Sequence, residues 1–233
     1  TEVNDTPVAN AGSFSTNEDV DGSYTLTGDD GDPWDSSADD QDLTFAIVNN
    51  VAHGTVSLNT STGALTYDPD DNYNGSDSFT FRVTDDGTTN GSSDGLTSPP
   101  ATVTITVNAI NDNPILTAIS SQTTSEDTDI TVNLSGSDVD IATNGQSLSF
   151  TAESDDESMV VVSTVSTGTA TGTLSLDVQD NVNGDVTVMV QVSDGNGGLD
   201  STEFTLTITE VNDTPVANAG SFSTNEDVDG SYT

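Results

Sequence analysis

Residues Thr1–Thr25 read TEVNDTPVANAGSFSTNEDVDGSYT, and Thr209–Thr233 read the same, letter for letter. Twenty-five consecutive identities, 208 residues apart, identify a duplication. The sequence therefore holds one full repeat and the opening of the next, and a chain built this way folds as modules in series. A second, weaker period lies inside the repeat. VNDTP at Val3–Pro7 returns as INDNP at Ile110–Pro114 and again as VNDTP at Val211–Pro215. Asn17–Asp19 (NED) matches Ser125–Asp127 (SED), and NYNGSDSFTFRVTDDG from Asn72 matches NVNGDVTVMVQVSDGNG from Asn181. The repeat thus divides into two divergent modules of about 100 residues, an ordinary domain size. The boundaries read from these motifs are 1–109, 110–210 and an opening third segment at 211–233. A segment so short cannot bury a core alone. It is expected to lean on a neighbouring chain or to continue a fibre, and the fibre is the preferred reading.

Within each module the apolar residues alternate. SFTFRV and ATVTITV put every second side chain on one face, the period of a half-buried strand. The same pattern predicts strands at Ser23–Thr27, Leu43–Val48, Thr55–Leu58, Ala64–Tyr67, Ser78–Val83 and Ala101–Val107. In the second module it predicts them at Ile130–Leu134, Leu148–Ala152, Met159–Val162, Thr173–Leu176, Val186–Val192 and Glu203–Ile208. Asn-Gly pairs beginning at Asn74, Asn90, Asn144 and Asn183 mark turns that need φ > 0. No segment has helical periodicity. The expected fold is all-β: two tandem seven-stranded Greek-key β-sandwiches, end to end, plus the start of a third. Two longer loops interrupt the first, 28–42 and 85–100, and Trp34 in the former is expected to cover an end of the sandwich.

Charge narrows the functions open to this chain. Forty Asp and Glu face a single strong base, Arg82, for a net charge of −39. One arginine cannot neutralise a phosphate backbone, so nucleic acid is excluded as a partner. Membrane insertion is not expected, because no stretch approaches the roughly 20 apolar residues of a spanning helix, and no signal peptide is read. Without cysteine there are no disulfides, thiolate metal sites or thiol nucleophiles, and without lysine no Schiff base. Low hydrophobicity with high charge is also the composition of disordered chains. The strand periodicity and the placing of many acids inside turns argue instead for a folded protein neutralised by cations.

The acids gather at the expected module ends. Asp138 and Asp140 alternate in D-V-D, as do Asp30 and Asp32 in the first module. Asp85 and Asp194 each end a strand and open a Gly-containing turn, while Glu18 and Glu126 lie near the module starts. Calcium takes six to eight hard oxygens from carboxylates, carbonyls and amides, and carboxylates crowded together repel without a cation. Asp and Asn also favour turns through local hydrogen bonds. Any single acid in 28–42 therefore reads first as a solvated turn former, and ESDDE at Glu153–Glu157 as solvated surplus. High-salt adaptation is a further source of such acids.

The ordered set of NDxP junctions, early Glu, D-x-D pair and strand running into DDG or SDG resembles the cadherin-like repeats of large bacterial surface adhesins, including those exported by type 1 secretion. The resemblance covers essentially the whole chain. It implies calcium held between consecutive domains. Carried over, the central junction would use Glu18 and Asp71, then Asn111, Asp112 and Asn113, then Asp138, Asp140 and Asp194. The first junction would use Asn4, Asp5, Asp30, Asp32 and Asp85, and the last Glu126, Asp177 or Asp180, Asn212 and Asp213. Two departures stand out. Asp68, Asp70 and Asp71 compete for the family's acidic strand-end position, and Thr6 and Thr214 replace the Asn113 of the central junction. Different junctions are thus expected to bind different numbers of ions.

No catalytic constellation is read. His53 sits in VAHGTV as a turn residue, and paired carboxylates carry no information in so acidic a chain. The preferred function is a calcium-stiffened, repetitive spacer of an extracellular adhesin or cell-surface fibre. Its partners would be neighbouring copies of the repeat, with contacts to host, sugar or abiotic surfaces left to other domains. The alternatives are a filament subunit held by strand exchange between chains and a calcium-dependent, lectin-like module.

Overall fold

The computed structural model describes residues 3–31 and 41–215, together with 217, 219–221, 223 and 226, and of Asn144 the backbone only. Asp32 and Trp34, and so the expectations placed on them, lie outside the described residues. The chain divides into two compact units, Thr1–Asn111 and Asp112–Thr233.

Unit 1 is a sandwich of two sheets. One has the order β2-β11-β8-β5, built from β2 (Gly12–Asn17), β5 (Thr44–Asn49), β8 (Gly75–Thr84) and β11 (Ala101–Asn108). The other has the order β3-β7-β6, from β3 (Gly22–Thr25), β6 (Gly54–Leu58) and β7 (Ala64–Pro69). Two short ribbons complete it: β1 (Val8–Ala9) with β4 (Gly28–Asp29), and β9 (Thr88–Thr89) with β10 (Ser92–Ser93). Among the described residues of unit 1 the one parallel pairing joins β2 to β11, from Val103↔Gly12 to Asn108↔Asn17.

Unit 2 repeats this layout. β13 (Gln122–Ser125) runs parallel to β19 (Leu199–Thr209), which leads on to β18 (Gly184–Ser193) and β15 (Ser149–Ser154). The facing sheet is β12-β14-β17-β16, with β12 (Ile115–Leu116), β14 (Ile130–Ser137), β16 (Val160–Ser166) and β17 (Thr171–Val178). One turn of helix, α1 (Ile141–Asn144), follows Asp140 and ends on Gly145 at φ 67°. It is too short to leave a helical period in the sequence.

Alternation builds both cores. Along β8 the buried positions are Asp77, Phe79, Phe81 and Val83, and along β18 they are Val186, Val188, Val190 and Val192. Phe79, Phe81 and Tyr67 are almost wholly buried, and truncating Phe81 to Ala is expected to cost about 3–5 kcal/mol. Each predicted strand is present; most run a few residues longer, while β3 ends at Thr25, two residues short of the expected Thr27, and β5, β15 and β16 start one residue later than expected. In all four Asn-Gly pairs the glycine takes positive φ, whereas of the asparagines Asn90 alone does, at 51° beside Gly91 at 75°. That pair forms the tight link between β9 and β10. The sequence reading lacks β2 and β13, because their GSFSTN and QTTS are too polar to show an apolar period.

Candidate metal centres

Two ends of each unit are built from the residues singled out in the sequence. In unit 1 they flank β8: Asn74 precedes the strand and Asp85 follows it. Ten residues of extended chain put them about 30 Å apart.

The Asp85 end is the more enclosed. Asp85 is 5% exposed. Its Oδ1 accepts from Leu96 N at 2.9 Å, Gly87 N at 3.2 Å and Asn4 Nδ2 at 2.9 Å. Its Oδ2 is buried and accepts no hydrogen bond. Asn4, also 5% exposed, gives Nδ2 to the Asp94 carbonyl at 2.8 Å and its main-chain N–H to Thr89 Oγ1 at 3.2 Å. Asn4 Oδ1 is buried with no donor. Gly87 explains the closeness: a Cβ there would stand 2.1 Å from Asn4 Oδ1 and 2.4 Å from Gln41 Oε1. Gln41 in turn donates its N–H to Asp30 Oδ2 at 3.2 Å. Oxygens from distant parts of the chain thus converge where water is scarce. A buried acceptor left without a donor costs about 1–3 kcal/mol.

In unit 2 the matching end links Asp112, Asp138, Asp140 and Asp194. Asp112 N donates to Asp140 Oδ2 at 2.9 Å, and Asp140 N to Asp138 Oδ1 at 2.8 Å. Asp194 Oδ1 accepts from Asn196 N and Gly198 N. A Cβ on Gly198 would lie 2.2 Å from Asp194 Oδ2 and 3.0 Å from the Asp112 carbonyl oxygen, which draws these two residues together. Asp138 Oδ2 is buried and accepts no hydrogen bond. Asp30 and Asp138 hold equivalent positions, because Gly28–Asp29 pairs with β1 as Gly136–Ser137 pairs with β12.

The opposite ends of the two units are built alike. Glu18 is buried and accepts from Ile110 N through Oε1 and from Asn74 Nδ2 through Oε2. Glu126 is buried and accepts from Val211 N through Oε1. Each glutamate also donates its own N–H to the strand leading to the junction, at the carbonyls of Asn108 and Thr209. Asp71 and Asp180 occupy matching exposed turns after β7 and β17, beside Asn72 and Asn181 with φ near 57°. Asp5, Asn111, Asn113, Asn212 and Asp213 are exposed.

Two residues missing from the sequence reading recur before a core strand, and one of them, Gln41, joins the unit 1 site. Gln41 and Gln146 each stand three residues before a core strand, in QDLTF and QSLSF, and each has a buried side-chain oxygen. The recurrence Q-x-L-[ST]-F is the signal that finds them. Among the described residues no three His, Cys, Asp or Glu side chains form a metal cluster. The donors are instead pairs of carboxylates with amide and carbonyl oxygens, a hard set suited to calcium or magnesium and not to zinc.

Similarity searches agree with this division. Residues 4–109 match the bacterial cadherin-like domain and residues 111–209 the bacterial Ig domain. No curated protein matches. Among solved structures, protocadherin gammaB7 EC3-6, described as a cis-dimer, is 16% identical, covering 90% of this chain and 49% of its own at a TM-score of 0.56. PcdhgB3 EC1-4 is 18% identical, covering 89% and 50% at 0.57. The chain spans about half the length of these neighbours, and identities this low speak for the fold alone. Domains of these two families are extracellular repeat modules of the adhesion type, typically without catalysis, and no helix among the described residues is long and apolar enough to cross a membrane. The two matches support cadherin-like repeats of bacterial surface proteins: a bacterial cadherin-like domain at 4–109 followed by a bacterial Ig domain at 111–209.

Proposed function

We propose that the chain is a calcium-stiffened spacer of an extracellular adhesin or surface fibre, with a further unit opening at residue 211. One observation carries this reading. At the same end of both units a buried oxygen lacks a donor: Asn4 Oδ1 and Asp85 Oδ2 in unit 1, Asp138 Oδ2 in unit 2. A metal ion satisfies such oxygens as no nearby N–H does. Asp85, Asn4, Gln41 and Asp30 would hold it in unit 1, and Asp112, Asp138, Asp140 and Asp194 in unit 2. Glu18, Asp71, Asn111 and Asn113 would add oxygens at the central junction, and Asp5 and Asp32 at the first. Glu126, Asp180, Asn212 and Asp213 would do so at the last.

Calcium supplies the positive charge that these carboxylates lack in a chain of net charge −39. Without it the junction acids repel, each pair by only about 1 kcal/mol in water but by more where partly buried. Glu18 and Glu126 tie each junction to its unit through the N–H groups of Ile110 and Val211. Ligation then restricts the junction and adds stability by mass action, because the unfolded chain has no site. Repetition serves length, which favours a spacer over a lectin-like tip.

The test is calorimetric titration of the whole chain with calcium. Binding is expected with Kd of about 10⁻⁴ to 10⁻³ M, with Asp85→Asn and Asp194→Asn each removing part of the heat. Absence of heat and of any rise in Tm at millimolar calcium would overturn the proposal.

A further inference from the structure

One sheet edge of unit 2 lacks the features that keep such edges from pairing. The order β12-β14-β17-β16 leaves β16 (Val160–Ser166, VVVSTVS) with a strand on one side only. Its register with β17 runs unbroken from Val160↔Val178 to Ser166↔Gly172. Main-chain bonds at both ends set its phase: Gln179 N donates to the Met159 carbonyl and Thr167 N to the Thr171 carbonyl, each at 2.9 Å. Antiparallel pairing alternates. Val161, Ser163 and Val165 therefore direct their main-chain groups at β17, and those of Val162, Thr164 and Ser166 point to the open side. Edges are normally blunted by charge, proline, a bulge or shortness. β5 has a register shift between Ile47 and Asn49, and β12 is two residues long. β15 holds Glu153, and its Phe150 carbonyl accepts from Thr164 Oγ1 at 2.8 Å. β16 has no such device. Ser158–Leu176 carries no charged residue in a chain with forty acids. Val161 and Val165, 45% and 60% exposed, stand on its outward face.

We infer that β16 pairs antiparallel with β16 of a second copy, about a two-fold axis at Ser163. In that register Val162 and Thr164 of one copy exchange main-chain bonds with Thr164 and Val162 of the other. Val161 lies opposite Val165, and Ser163 meets its own counterpart. These side chains then occupy the non-hydrogen-bonded positions, where opposite residues approach most closely. Charge selects the direction. Asp155, Asp156 and Glu157 precede the strand, whereas the turn after it, Thr167–Thr171, is uncharged. Antiparallel pairing sets each acidic turn beside the partner's uncharged one, and parallel pairing would set acid against acid. A foreign extended segment would use the same edge by strand addition; the match of 161–165 to itself favours a second copy. The contact is isologous and closes on a pair. Two strands this short bury less than about 1,000 Å², the range of weak contacts, and two chains of net charge −39 repel. Association therefore strengthens as salt shortens the Debye length, from about 30 Å at 0.01 M to about 3 Å at 1 M. None of this depends on the calcium reading.

The absence of native cysteine makes this testable in the full chain. Ser163→Cys sets two thiols opposite each other across the axis, within reach of a disulfide. In a thiol-disulfide buffer at high salt it should give a covalent dimer in several-fold higher yield than Thr131→Cys, at an exposed position of β14 inside the same sheet. The yield should fall several-fold at low salt. Adding Val161→Glu with Val165→Glu should remove the dimer, and so should adding Val161→Lys with Val165→Lys. Both valines are exposed, so each variant should keep the parent's Tm. Mixing the two should restore a covalent heterodimer, identified by mass, because the register sets each Glu opposite a Lys. The inference is overturned if Ser163→Cys crosslinks no more than Thr131→Cys, the result expected of a foreign occupant. It is equally overturned if the Glu chain dimerises as its parent does. The same holds if the Lys chain couples to the unaltered Ser163→Cys chain as strongly as to the Glu chain, the result expected of lysine drawn to any acidic surface.

Discussion

Units 1 and 2 share one strand layout and differ in what fills it. At the third position of β8 unit 1 buries Asp77, where β18 of unit 2 has Val186. The carboxylate of Asp77 accepts from Ala52 N at 3.0 Å, His53 N at 2.9 Å, Ser78 N at 2.7 Å and Tyr67 Oη at 3.2 Å. Burial alone would raise its pKa, but these donors outweigh burial and hold it below the ordinary carboxylate range. Tyr67 is pushed up by burial and then by the Asp77 charge, and it also donates to the His53 carbonyl at 2.6 Å. Unit 2 sets Leu176 opposite, fully buried among valines. A buried charge is thus tolerated where a turn supplies N–H groups, here 51–54, and replaced by hydrocarbon where none is offered.

The largest effect should come from breaking that rule in unit 2. Val186→Asp places a carboxylate in an apolar core and should cost about 4 kcal/mol or more, seen as loss of one calorimetric transition while the other persists. The reciprocal Asp77→Val takes the acceptor from the backbone N–H groups of Ala52, His53 and Ser78, while the Tyr67 hydroxyl keeps the His53 carbonyl. It should lower the stability of unit 1 by about 3 kcal/mol. If instead both swaps prove neutral, the Asp77 network is ornament and the comparison fails.

The two Asp-bearing ends differ in a way that a metal titration sharpens. In unit 1 the long 85–98 loop roofs the site, with Asn4 pinned to Asp85 and Asp94. In unit 2 the turn from Asp194 to Gly198 is short, and Asp138 and Asp140 lie beside it. At calcium one to two decades above Kd, each site should add about 1.4–2.7 kcal/mol. Asp85→Ala should abolish the gain in unit 1, and Asp194→Ala that in unit 2, read as separate shifts in Tm.

Acid should then separate the units without mutation. The folded pKa of Asp77 lies below its unfolded value, so its contribution is complete above the unfolded pKa of about 3.9 and is lost as pH falls through the folded value. Unit 1 should therefore lose stability relative to unit 2 below about pH 4, and Asp77→Asn should flatten that dependence. Smallest of all, Glu18→Gln and Glu126→Gln keep an amide oxygen for the N–H of Ile110 and Val211 but lose the charge that strengthens the bond, and should each cost about 0.5–1.5 kcal/mol. Glu18→Gln should cost the more, because Oε2 also accepts from Asn74 Nδ2; the reverse order would show that this contact does not hold the junction.

Much of this was legible in residue order. Strict alternation in SFTFRV and TVMVQV gives both central strands and their buried faces. The repeated NED and SED mark the buried glutamates. Three things were hidden, each for a physical reason. β2 and β13 are placed by parallel main-chain pairing to β11 and β19, which leaves no apolar signature in GSFSTN or QTTS. Asp77 reads as one more polar residue of a turn-rich stretch, because its partners come from residues 52 and 53 and from Tyr67. Gln41 joins the Asp85 end only through the close approach permitted by Gly87, a contact across 46 residues.

The most direct test of the spacer reading follows the whole chain by thermal melting and small-angle scattering, in EGTA and in millimolar calcium. The account predicts that calcium raises both transitions and narrows the distribution of inter-unit distances, and that Asp85→Ala and Asp194→Ala each remove part of the gain. Melting and scattering that are indifferent to calcium would contradict it and leave the acids as solvation alone.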